Sequence, residues 1–103
     1  MVSADEARRI ALALPDAVEL DHHGKPSFRV RGKIFATLWA ANELNVMLDE
    51  PGILTVVQAH PDLCREVWWG KKRAAVKVFL GRATPAFVGE VLADAHEHKS
   101  GRS

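Results

Sequence analysis

Apolar residues recur along the chain at two periods, three to four in some stretches and two in others. Ala7, Ile10, Ala11 and Leu14 fall at helical spacing behind Ser3. Glu6 stands three residues after Ser3 in the capping-box pattern, and Pro15 ends the run, so "SADEARRIALALP" predicts a first helix. Strand-like segments follow. "AVEL" is short, "PSFRV" and "KIFATLW" flank Arg31-Gly32, and "LNVML" comes after Ala41-Asn42-Glu43. A two-residue turn at Arg31-Gly32 pairs Val30 with Lys33 and Phe28 with Phe35. "DEPGILTVVQAHP" returns to helical spacing, with Pro51 at a first helical position and Ile53, Val56 and Val57 on one face. "LCREVWW" and "AAVKVFL" predict two more strands around "GKKR". The second alternates, with Val76, Val78 and Leu80 on one side and Ala75, Lys77 and Phe79 on the other. "TPAFVGEVLADAHEH" predicts a last helix with Thr84 as N-cap, Pro85 in the first turn, and Phe87, Val88, Val91, Leu92 and Ala95 as its apolar stripe.

The predicted order is helix, three or four strands, helix, two strands, helix. Short connections between consecutive strands argue for an antiparallel sheet, with the helices packed on one of its faces in a two-layer α+β domain. One domain is expected over residues 1–98, with 99–103 a disordered tail.

Composition narrows the class. The chain has 103 residues, 48% of them hydrophobic and 26% charged, which suits one soluble globular domain. Cys64 is the single cysteine, so no internal disulfide forms and nothing points to an oxidising compartment. No apolar run approaches the roughly 20 residues of a membrane span. "MVSADEARRI" has no apolar core of a signal peptide. The expectation is a cytoplasmic monomer or weak homodimer.

Charge changes the picture more than composition does. The net charge is only +1, yet residues 22–39 and 67–89 hold nine of the 14 basic residues and none of the 13 acids. The nine are Lys25, Arg29, Arg31, Lys33, Lys71, Lys72, Arg73, Lys77 and Arg82. If both hairpins belong to one sheet, they give it a positive face that attracts phosphates whatever the net charge. Phe28, Phe35, Trp39, Trp68, Trp69 and Phe79 lie among them and suit stacking on unpaired bases where exposed. The competing reading is plain: cations on strands guard sheet edges against aggregation, and aromatics fill cores.

Candidate chemistry is sparse. Adjacent His22 and His23 would point to opposite faces of a strand and read as a polar turn. His96 and His98 are two apart, wrong for one helical face, and read as solvated helix-end residues. Cys64 with His60 reads as a buried structural thiol rather than a nucleophile–base pair. Asp49-Glu50 complements a helix dipole. No phosphate-cradling glycine loop, CxxC, HExxH or GxSxG is present. No catalytic set, metal site or cofactor is predicted. Trp68-Trp69 places one indole on each face of a strand, one expected in the core and the other exposed. Together with Trp39 they are the candidates for contact with a partner.

"LALPDAVELDHHGKPSFRVRGKIFATL" resembles the opening of the MmcQ/YjbR family, a helix ending in Leu-Pro and then a "GKPSF-R-V-GK-FA" hairpin. The matching positions are Leu14, Pro15, Gly24 to Val30, Gly32, Lys33, Phe35 and Ala36. "LDEPG" and "WWGKKRAAVKVFL" resemble the family's middle-helix entry and second hairpin, so the likeness runs to about residue 95. Val67 stands where many members have a histidine before the tryptophan. The resemblance implies an α-β(3–4)-α-β(2)-α fold like that of CyaY and of double-wing DNA-binding domains. With the charge pattern, the expected function is non-enzymatic DNA binding through the two basic hairpins. The alternative is a protein-interaction or chaperone-like module.

Overall fold

The computed structural model of the protein describes residues 1–101. Three helices and six strands alternate as α1 (Ala4–Leu12), β1 (Val18–His22), β2 (Lys25–Val30), β3 (Lys33–Ala40), β4 (Glu43–Val46), α2 (Glu50–Ala59), β5 (Cys64–Trp69), β6 (Lys72–Phe79) and α3 (Pro85–Ser100). The strands form one antiparallel sheet in the order β1-β2-β3-β4-β6-β5. The helices lie on one face of it, giving the expected two-layer α+β architecture.

The helix starts follow from their capping residues. The Ser3 hydroxyl accepts from the Glu6 N–H at 3.1 Å, and the Thr84 hydroxyl accepts from the Phe87 N–H at 3.1 Å. Each satisfies a backbone donor that the first turn leaves free. The Asp49 carboxylate does the same for Gly52 at 2.9 Å, and a Cβ at Gly52 would meet that carboxylate oxygen at 2.9 Å. Gly52, which reads as a weakness in a helix, lies directly against its own cap. α3 continues beyond the expected end at His98. Lys99 and Ser100 are helical, the Ser100 hydroxyl donates to the Glu97 carbonyl at 2.9 Å, and Gly101 ends the helix at φ 80°. The rest of the tail expected at 99–103, residues 102 and 103, lies outside the described residues.

Cross-strand register assigns the two faces. Leu38, Leu44, Val78 and Cys64 form one row, and Phe28, Ala36, Val46 and Val76 another. All are buried and join Val88, Val91, Leu92 and Ala95 of α3 in the core. The row between them, Leu20, Ser27, Thr37, Asn45, Lys77 and Arg65, therefore points to the face that carries no helix. Val30 pairs with Lys33 as expected, but Phe28 pairs with Ala36, because a bulge after Phe28 sets Phe35 outside the register. The bulge lets Phe28 and Phe35 both sink into the core, fully buried. Neither is free to stack on a ligand.

Candidate nucleic-acid interface

The two hairpins that carry the cations end at the same end of the sheet. β2 and β6 run in opposite directions, as do β3 and β5, so Arg31-Gly32 and Gly70-Lys71 both sit where β4 finishes. Only β4 separates the hairpins. Their tips are thus about three strand spacings apart, roughly 14 Å. The tips are built differently. Arg31 and Gly32 both have positive φ, 53° and 78°, as a type I′ turn requires, whereas in the second turn only Gly70 does, at 63°.

The nine cations separate by position. Arg31, Lys33, Lys71 and Lys72 cluster at the two tips, and Arg29 lies next to the first tip on the open face. No ion pair is recorded for these five among the described residues. Arg73 turns to the helical face, where it bonds Glu66 at 2.9 Å and Glu50 at 3.1 Å. Lys77 sits in mid-sheet, 3.3 Å from Glu43. Lys25 and Arg82 lie at the opposite end, donating to the carbonyls of Trp39 and Asp62. The sequence groups nine cations, and the fold brings five of them together.

The exposed aromatics separate in the same way. Both Trp68 and Trp69 lie outside the core, at 47% and 58% exposure, against the expectation that one would be buried. β5 is the edge strand, with a neighbouring strand on one side only, and both indoles near its end stay exposed. Trp68 is on the helical side, donating from Nε1 to Glu66 with the Arg73 guanidinium 4.6 Å from its ring centre. Hydrogen bonds from Arg73 first, then Trp68, hold the Glu66 carboxyl below its ordinary value. Trp69, next along the strand, faces the open side with Lys72 opposite it. Trp39 is exposed at the far end, its ring covered by the Lys25 ammonium at 4.7 Å.

Other candidates resolve into structure. His23 occupies a turn with Gly24, both at positive φ. His96 is not a solvated helix end: its Nε2 lies 2.6 Å from the Pro15 carbonyl and its ring meets Phe35 edge-on, tying α3 to the α1–β1 connection. The buried Cys64 thiol donates to the His60 carbonyl at 3.3 Å, and burial pushes its pKa up, away from the thiolate a nucleophile needs. No cluster suited to a metal ion occurs among the described residues.

Two features escaped sequence reasoning. Asn45, 5% exposed in the centre of the open face, has a buried Oδ1 with no hydrogen-bond partner. An isolated asparagine in a strand gives no sign of this, because the partners are set by register. Behind the tips, in the helical layer, a groove of about 560 Å³ is lined by Leu48, Asp49, Val56, Asp94, Glu97 and His98. Burial, then the charges of Glu90 and Glu97, raise the Asp94 carboxyl above its ordinary value. Acids at 90, 94 and 97 do carry a signal, since that spacing puts them on one helical face.

No helix among the described residues is long and apolar enough to cross a membrane. No curated protein matches the chain. A crystal structure of the Deinococcus radiodurans protein DR2400, with a domain of the DUF419 family, is similar over 100% of this chain and 91% of that one, with a TM-score of 0.74 at 19% identity. That likeness concerns the fold. The YjbR family profile matches residues 12–98, the whole sheet with α2 and nearly all of α3, and the chain belongs to the YjbR family.

Proposed function

We propose that the protein binds nucleic acid through its two hairpin tips, without catalysis. The observation that supports this most directly is the placement of Arg31 and Lys33 on one tip and Lys71 and Lys72 on the other, at one end of one sheet with Arg29 beside them. The roughly 14 Å between tips is comparable to the ~12 Å width of a major groove, so each tip can meet phosphates on its own side of a groove or along a bent strand. Long cationic side chains on hairpin tips reach phosphates at little steric cost, and the released counterions drive the association.

Five phosphate contacts give a salt slope of about −4.5 on duplex DNA and about −3.5 on a single strand. Neutralising Arg31, Lys33, Lys71 or Lys72 to Gln should each shrink that slope by about 0.7–0.9. Lys25→Gln and Arg82→Gln, at the other end of the sheet, should leave it unchanged. Equal effects at both ends, or no binding to any nucleic acid at low salt, would remove this reading.

A further inference from the structure

Three indoles stand out of this surface, and only one has a bare face. Trp39 is covered by Lys25 and Trp68 by Arg73, each cation lying 4.6–4.7 Å from the ring centre. Trp69 is the most exposed of the three, and no cation lies over it among the described residues. An uncovered indole on a hairpin tip offers a free aromatic face to a ligand. From Trp69 the open face continues past the half-buried Val67 to Lys77, which is paired with Glu43. The path therefore runs from a flat ring with Lys72 opposite it, past the side chain of Val67, to the Lys77–Glu43 pair.

Duplex bases are stacked on each other and cannot use such a ring. Unpaired bases can, and stacking is the sequence-tolerant part of single-strand recognition. The acids of the helical layer, Asp94 and Glu97, lie behind the same tips and disfavour a polyanion there, whereas the open-face acid Glu43 is paired with Lys77, so the open face is the more favourable side. Resting on the hairpin-tip reading above, we infer that the ligand is a single-stranded polynucleotide that stacks an unpaired base on Trp69 and runs onto the open sheet face.

Oligo-dT, oligo-U and a DNA duplex of equal length are the probes, titrated against the full chain by anisotropy and tryptophan quenching. At least one single strand should bind more tightly than the duplex, and the two single strands tell DNA from RNA. Trp69→Ala should weaken single-strand binding roughly 5- to 150-fold, equivalent to about 1–3 kcal/mol for one lost stack, with the salt slope unchanged. Trp69→Phe should keep most of the affinity and abolish most of the quenching. Trp68→Ala should cost much less. The inference is overturned if the duplex binds as tightly as both single strands, or if Trp69→Ala leaves single-strand affinity intact. If the Lys71 and Lys72 neutralisations still lower the slope in that case, the hairpin-tip reading stands and stacking alone is wrong. Absence of binding to all three probes overturns both.

Discussion

At the scale of single residues, the chain keeps groups that its fold alone would not choose. Asn45 is the clearest. It sits in central strand β4, a position that favours β-branched side chains, with a buried carbonyl oxygen and no donor. An unmet buried acceptor costs roughly 1–3 kcal/mol. Asn45→Val should therefore raise stability to chemical denaturation by about 1 kcal/mol; a loss of stability would mean that the amide has a partner in solution. Asp94 is a second case. Its folded-state pKa is raised, so its contribution to stability is complete below the ordinary aspartate range and is lost as pH rises through the raised value. Asp94→Asn should match the parent chain in acid and exceed it at neutral pH. The gain should be only a few tenths of a kcal/mol, because the side chain is largely in water. Thermal melts at both pH values test the sign. Legibility at this scale follows locality. Ser3 and Thr84 were readable as caps because a cap acts on the backbone three residues away. The isolation of Asn45 and the pairing of Arg73 with Glu66 and Glu50 depend on neighbours brought together by register and packing.

At the scale of elements, the first hairpin tip is the informative one. A type I′ turn favours Asn-Gly, because both central residues take positive φ. Here the first position is Arg31 at φ 53°, a conformation that costs an ordinary L-residue about 1–2 kcal/mol and Asn much less. His23 at φ 53° before Gly24 is built the same way, so positive φ alone does not mark function. The charge of Arg31 does distinguish it. Arg31→Asn should stabilise the chain by up to about 1 kcal/mol and at the same time remove one phosphate contact, moving stability and affinity in opposite directions. Denaturation and salt-slope measurements on one variant check both halves, and a variant that gains affinity would sink the role given to this tip. Turn chemistry also explains how far the hairpin was readable. Arg31-Gly32 placed the turn and the Val30–Lys33 pair, but the slip to Phe28–Ala36 could not be read, since nothing local marks the bulge that buries Phe28 and Phe35 together. The indoles of β5 were misjudged for a related reason. Alternation says that Trp68 and Trp69 face opposite ways, but not that β5 takes the edge of the sheet, where both stay exposed.

At the scale of the whole molecule, the hairpin tips share an end because β4 enters the sheet between the hairpins and runs antiparallel to both neighbours. Strand order is a long-range property, and a chain with the same local pattern but another order could have sent the second tip elsewhere. The same connectivity decides where the acids go. α2 starts where β4 ends, and α3, leaving from the far end of β6, finishes there too, which brings Asp49, Asp94 and Glu97 behind the tips. One end of the molecule thus holds cations in its sheet layer and carboxylates in its helical layer. For a polyanion on the open face the carboxylates are repulsive neighbours that never touch it. A unit charge about 10 Å away through a water-like medium is worth roughly 0.4 kcal/mol before screening, a factor of about two in affinity. The double variant Asp94→Asn with Glu97→Gln should accordingly tighten single-strand binding about two- to four-fold at low salt, and the gain should fade as the Debye length shrinks below the layer thickness. A larger gain that persists at high salt would mean that the ligand lies in the groove between α2 and α3, against those carboxylates, and that the open face is not its path.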